Sequence, residues 1–431
     1  MWQLTFNPTA GFILNVNDEA APGPLTAPER ERIRSLARRA AEIAAEPAQT
    51  ERRELWLRHN RLEKVRPLLL VFLEDSWLEV LPQDRICQIR DPFWRHWEWY
   101  LAHLIYRHEH LHDDFVFEPD LYVMKRIRYG DMGLAAKQIS TGQAGGSYSW
   151  EAPIREPADA RKLHAPTIEV DDVTTERHVR ALKEALGDLL AVKVHCKSPS
   201  SSIYDTVAWF RGIEQTMLDM YDRPEWLHDL MRFFAETNLA GAKFLEDGGH
   251  LTLNNRNHYT DAGGIGYTDE LPRQDRKNGK VRLADLWIQG VAQAASEVGP
   301  DQHEEFILNY DLRLLDKAGL VAYGCCEPYT NKFDMLKRRV KNLRRVSVSP
   351  WCDVEKAATA LQDKYIYSWK PNPAMLVGRF DEGRIRQAVR RTLEVARDCV
   401  LEIILKDTIT VDNEPRRIEE FIRIVREEIG A

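Results

Sequence analysis

The sequence predicts an α/β fold, a (β/α)8 TIM barrel with an N-terminal helical extension and a long insertion after the fourth strand. Three observations carry this. Eight short runs rich in aliphatic and β-branched residues recur along the 431 residues. Most are continuously apolar, as strands covered on both faces are. Helical patterns separate many of them, and such alternation implies parallel strands with right-handed crossovers. An open doubly wound sheet is the runner-up, but no G-x-G-x-x-G follows the first strand.

The elements follow in chain order. Residues 1–65 form the extension: an irregular start, a loop at "AAPGPLTAP" (20–28), then helices over 27–64, rich in Arg, Glu, Ala and Leu. The barrel occupies 66–431. Its strands are read at "PLLLVFLED" (67–75), "DLYVMKRI" (120–127), "LLAVKVHCK" (189–197), "HLTLNN" (250–255), "GLVAYGCCE" (319–327), "RRVSVSPW" (344–351), "KYIYSWKP" (364–371) and "VLEIILKDT" (400–408). Helices are predicted over 174–188, 207–247, 302–317, 331–342, 353–362 and 381–398. The last has acids at its start and apolar residues at helical spacing. Two segments exceed a minimal barrel. Residues 82–112 read as an aromatic-rich helical insertion, and 256–281 as a polar, Gly-rich loop placed like a lid. "HEHLH" (108–112) tempts as a metal site, but its spacing is wrong for a helix face, so a helix end is preferred.

Composition narrows the function. The net charge is -7 and no long basic block exists, so nothing points to nucleic acid or an anionic membrane. The basic run "KRRVKNLRR" (337–345) reads as a solvated helix face. The apolar runs are too short to span a bilayer. No signal-peptide pattern opens the chain, and six scattered cysteines fit free thiols in a reducing cytoplasm. No G-x-S-x-G, H-E-x-x-H or Walker sequence appears.

Barrel enzymes place their chemistry at the C-terminal ends of the strands. Here those ends offer Glu74 and Asp75, then Lys125 and Arg128, then His195, Cys196 and Lys197, then Asn254 and Asn255. The later strands offer Tyr323, Cys325, Cys326 and Glu327; Trp351 and Asp353; Trp369, Lys370 and Asn372; and Lys406, Asp407 and Thr408. A polar ring on apolar strands is a candidate site. Adjacent Cys325 and Cys326 are two buried small residues, a metal-ligand pair, or a thiolate beside a substrate. Cys325 or Cys326 with Glu327 and His195 could supply metal ligands. Successive strand residues face opposite ways, so regular geometry offers one cysteine of the pair at most.

"GYTDELP" (266–272), "YGCCEP" (323–328), "VSVSPWCDVEKA" (346–357), "YIYSWKPNPAML" (365–376) and "EIILKDT" (402–408), in that order after a helical N-terminal part, resemble the uroporphyrinogen decarboxylase superfamily over roughly 50–431. The resemblance implies the barrel, a site at its C-terminal mouth, and a homodimer. It implies a methyltransferase moving methyl groups to or from corrinoids or thiols, with zinc and a corrinoid-carrying partner protein. The decarboxylase's Arg-rich N-terminal signature is absent; the matching stretch reads "RPLLLVFLEDSWLEV" (66–80). The zinc members' His-x-Cys at the fifth strand and Cys at the eighth are also changed. Tyr323 or Gly324 holds the His position, and Lys406 and Asp407 stand where Cys would.

The expectation is a methyl-transfer enzyme acting on a small substrate. Asp407, Lys406, Lys370, Glu327 and His195 would be catalytic. Glu74, Asp75, Asn254, Asn255, Tyr323, Trp351, Trp369 and Asn372 would line the substrate. Cys325, Cys326, Glu327 and His195 would hold zinc if a rearranged site exists. The alternatives are a decarboxylase or lyase on a non-porphyrin carboxylate, and a ligand-binding barrel without catalysis.

Overall fold

The computed structural model describes residues 5–7, 11–13, 20–140, 142, 148–260, 263–276 and 279–430. Its centre is a parallel sheet. We number the principal strands β1 (Leu68–Val71), β2 (Asp120–Met124), β3 (Ala191–His195), β4 (Trp287–Gly290), β5 (Leu320–Tyr323), β6 (Leu343–Val348), β7 (Ile366–Trp369) and β8 (Val400–Leu405). Strands β4 to β8 pair in sequence, β8 pairs with β1, and a two-residue strand, Ser200–Ser201, edges β4. That makes seven strands in one parallel sheet. Strands β2 and β3 form a separate parallel pair. Full burial of β1, β5 and β8 explains their unbroken apolar sequences.

The ladder is not continuous. Between β1 and β2 two carboxylates replace a neighbouring strand. Asp114 Oδ2 accepts from Leu69 N at 2.7 Å and Asp113 Oδ2 from Val71 N at 3.0 Å. Arg66 and Arg426 neutralise Asp114, and Arg107 neutralises Asp113. Between β3 and β4 the Asn254 amide does similar work, accepting from Trp287 N at 3.0 Å and donating to Trp287 O at 2.8 Å. Buried backbone groups need partners, and side chains supply them at these edges. The described residues thus form a barrel-like arrangement rather than a closed ring of hydrogen-bonded strands.

Two expectations are corrected here. "HLTLNN" (250–255) is not a strand; the fourth strand is Trp287–Gly290. The segment 256–281 therefore precedes the fourth strand, and it is no lid. Asn257, His258, Tyr259, Thr260, Ile265 and Tyr267 are buried in it. Its side chains and backbone bond to Val116 and Asn60. Gly263 and Gly264 pass so close to the strands that a Cβ at either would lie 2.3 and 2.7 Å from the Glu402 carboxylate. Polarity in the first part of that segment signals internal hydrogen bonding, whereas Gln274, Asp275, Gly279 and Lys280 are exposed.

The helical extension forms α1 (Ala27–Ala44) and α2 (Pro47–Asn60). Thr26 and Glu29 make a capping box that starts α1. Its stripe Ile33, Ala37, Ala40 and Ile43 is buried and packs against α3 (Pro92–Tyr106), the aromatic-rich insertion. That helix runs into a π-turn, Arg107–Leu111, which contains His108 and His110. His108 and His110 do lie at a helix end, but their partners are the Glu46 and Glu419 carboxylates, not the last carbonyls of the helix. Three further helices matter below: α4 (Asp172–Leu186), α5 (Ile203–Arg211) and α6 (Pro224–Asp247). Among the described residues no helix is long and apolar enough to cross a membrane.

Candidate active site

The C-terminal ends of β5, β8 and β1 converge on one cluster. Strand β5 ends at Tyr323, and Gly324 turns the chain with φ +97°. Only glycine adopts this readily, and a Cβ there would lie 2.5 Å from the Tyr329 ring. The turn releases Cys325 and Cys326 from strand alternation, so both sulfurs reach the cluster. Their Sγ atoms are 3.5 Å apart. Cys325 is buried and Cys326 half-buried, and neither is in a disulfide.

Strand β8 supplies the counter-charges. Lys406 Nζ lies 3.1 Å from Cys325 Sγ, 3.7 Å from Cys326 Sγ and 2.7 Å from Asp407 Oδ1. Cys326 Sγ is 3.0 Å from Asp407 Oδ2. Its single S–H proton thus has two acceptors in reach, the Asp407 carboxylate and the Cys325 sulfur. The hydrogen bond from Cys326 lowers the Cys325 pKa, and Lys406's charge adds to it against the penalty of burial. Cys326 is pushed up instead, first by that same hydrogen bond and then by burial. The shifts of the pair run in opposite directions, so negative charge on it is weighted toward Cys325. Burial alone would neutralise Lys406, but the surrounding sulfurs and Asp407 raise its pKa well above the ordinary value. Burial opposes the Asp407 charge, but Lys406, the Cys326 hydrogen bond and Lys370 together lower its pKa.

Strand β1 contributes Glu74, whose Oε1 accepts from Asp407 N at 3.2 Å. Burial raises Glu74 to about 7, with Lys406 opposing and Asp407 assisting. Glu74 and Asp407 both have positive φ, +44° and +59°. Such strain costs of order 1–3 kcal/mol per residue and clusters at functional sites. Lys370, the residue after β7, is buried, donates to Ser368 O at 3.2 Å and Oγ at 3.1 Å, and is lowered to about 8 by burial. Its charge helps to hold Asp407 ionised, and the charge of Asp75 acts on Glu74.

Other candidates serve the frame. Glu327 accepts from Ala292 N at 2.9 Å, Cys325 N at 3.0 Å and the Tyr329 hydroxyl. It clamps the turn after β5 to the loop after β4. Tyr323 is buried and donates to Asp311 at 3.0 Å. Trp369 is a buried residue of β7. Asn254 edges β4, as above, and Asn255 donates to Leu271 O at 2.6 Å. Asn372 caps a 3-10 turn through Ala374 N, and Asp353 caps the helix Val354–Leu361. Trp351 is 68% exposed. His195 lies with His258 and Tyr122, and its Nδ1 bonds Thr252 Oγ1 at 3.1 Å. Burial drops its pKa to about 3, so it is neutral at pH 7.

This donor set fits zinc poorly. Glu327 is committed to three hydrogen bonds, His195 has other partners, and a Lys406 ammonium already lies against Cys325. Among the described residues no group of three or more His, Cys, Asp or Glu side chains is arranged to hold a metal ion. Sequence reasoning missed Gln293, whose Nε2 is 3.5 Å from Cys326 Sγ. It follows β4, the strand that periodicity did not find; the run "LWIQGV" (286–291) was the available signal.

No family model matches this chain, and no curated protein matches it. One solved structure similar to it is a methyltransferase from Methanosarcina mazei, with 11% identity and a TM-score of 0.46. The alignment covers 87% of this chain and 98% of that one.

Proposed function

We propose that this chain is a thiol-based methyl-transfer enzyme whose site is the cluster of Cys325, Cys326, Lys406, Asp407 and Glu74. The strands are read as a barrel whose β1–β2 seam is closed by Asp113 and Asp114. The observation that carries the functional reading is the Lys406 ammonium 3.1 Å from Cys325 Sγ, which holds a thiolate beside a more exposed thiol. A thiolate is the nucleophilic form of cysteine, and a neighbouring cation is a standard way to keep it.

The step balances within the cluster. Cys326 sulfur attacks the methyl carbon of the substrate as its proton passes to the Cys325 thiolate. The sulfur–carbon bond forms, and the bond from carbon to the leaving group breaks. The leaving group departs with the electron pair and takes the proton of Glu74. One negative charge moves from Cys325 to Glu74. Lys406 and Asp407 fix the charge pattern before and after, the preorganisation on which electrostatic catalysis depends. The outer donor or acceptor, a free small molecule or a corrinoid on a partner protein, lies outside this chain.

The buried Lys370 favours a second reading, a decarboxylase that grips a small carboxylate between Lys370 and Lys406. One experiment separates the two. The protein is incubated with methylamines, methyl thioethers and methoxy compounds, then with a panel of carboxylates. A one-methyl mass increase on Cys326, absent in Cys326→Ser, supports methyl transfer. Carbon dioxide release without that mark supports the second reading and sinks the first.

A further inference from the structure

A cavity of about 560 Å³ lies apart from the sulfur cluster, at the C-terminal ends of β2 and β3 and against α6. It is the size of a pocket for a small organic ligand. Met124, Ile127, Phe234 and Leu245 give it apolar lining. Lys125, Arg126 and Lys197 line it as well. No Asp or Glu lines it, although the chain as a whole has a net charge of -7. Ser198, Ser200 and Thr206 complete the polar lining. Ser202 and Ile203, where the nine-residue helix α5 begins, also line it, and the positive end of a helix adds to the field there. Lys125 is tied to Asp172 at 2.7 Å, so it is held in place at the wall.

We propose that this cavity binds a small amphiphilic organic anion, an apolar body carrying one oxyanion group. The oxyanion would meet Arg126 and Lys197, and the body would lie on Phe234 and Leu245. None of the three cations needs to be unpaired for this. Guanidinium and ammonium groups have several donors each and can serve a protein partner and a ligand together. The cavity also adjoins the interior of the strand arrangement. Lys197, Ser198 and Pro199 line it, and they also line a second, small pocket with His195, His258 and Tyr259. The inference stands on the cavity and its charge, independent of the thiol chemistry.

The test uses 1-anilinonaphthalene-8-sulfonate as the anionic probe and N-phenyl-1-naphthylamine as its uncharged counterpart. Fluorescence titration of the full chain should show one sulfonate bound per chain. Lys197→Gln should weaken it about 10-fold, the effect of losing one charged contact. Thr237→Trp, which fills the cavity from α6, should abolish binding with the melting temperature unchanged. Ala242→Phe serves the same purpose if Thr237→Trp does not fold. Cys326→Ser should leave binding intact, so failure of the methyl-transfer reading would not register here. Sulfonate binding unchanged in both Lys197→Gln and a cavity-filling variant, or equal affinity for the neutral probe, would overturn the proposal.

Discussion

Strands β6 to β8 carry buried charge at both ends, and the two ends are built to opposite designs. Toward the N-terminal end, Arg345 of β6 and Glu402 of β8 form an ion pair at 2.9 Å with neither side chain exposed. His59 bonds Glu402 at 3.0 Å, while Thr260 and Asn60 take two further guanidinium hydrogens. Gly264 N donates to the same carboxylate at 2.9 Å, and the guanidinium sits 5.0 Å from the Trp287 ring centroid. Burial opposes the Glu402 charge, but Arg345 and His59 hold it well below the carboxylate range. At the C-terminal end, Lys406 and Asp407 also pair, yet Asp407 is 41% exposed and the carboxylate beside it titrates near neutrality. The first set is enclosed on all sides and tied to neighbouring segments, so it holds a shape. The second is partly open, shares one proton among several groups, and sits on strained backbone. The ion pairs toward the two ends of β8 thus differ in enclosure.

The sharpest way to break this contrast is to remove one charge from each end. Glu402→Ala should lose about 3–5 kcal/mol, because Arg345 is left buried without its partner. Denaturant midpoints would measure it. Lys406→Met should cost far less stability but lower turnover, and alkylation of the cysteine pair at pH 7, by about 100-fold, roughly 2.7 kcal/mol of barrier. If Lys406→Met unfolds the chain as badly as Glu402→Ala, the two ends are not different in kind. If its thiols alkylate at the wild-type rate, Lys406 does not hold the thiolate.

Glu74 supplies a finer test. Its carboxyl is raised from 4.5 to about 7, so the folded state holds this proton longer than the unfolded state does. The stability tied to it is complete below about pH 4.5 and is lost as pH rises through about 7. Glu74→Gln should therefore stabilise the protein at pH 8 by about 1–2 kcal/mol and leave it nearly unchanged at pH 4.5. Thermal melts at the two values decide it, and an equal shift at both would mean that the carboxyl is not perturbed. The smallest effect is expected at Trp351. Removing this exposed ring should change stability by less than about 0.5 kcal/mol and leave thiol reactivity alone. A large loss of activity would return it to the site.

The amino-acid sequence by itself determined the strand–helix alternation and seven of the eight principal strands, because continuous apolar runs have few other uses. It also determined which residues could meet at the strand ends. Lys406, Asp407, Glu74 and the two cysteines follow from counting to the ends of apolar runs. Only the tertiary structure decided the rest. Strand β4 is four residues long and was eclipsed by "HLTLNN", whose polar side chains bond to neighbouring backbone instead of joining a ladder. Segment 256–281 reads as solvent-facing throughout, but Asn257, Thr260 and Gly264 in its first part find partners inside, a distinction that local composition does not encode. The roles of Glu327 and His195 depend on which hydrogen-bond partners face them, and those partners come from residues 2 to 57 positions away along the chain. That both cysteines reach Lys406 rests on the turn at Gly324, which breaks the alternation that a regular strand would impose. Enclosure is a property of packing, and it is what separates the shut-in Arg345–Glu402 pair from the partly open Lys406–Asp407 pair.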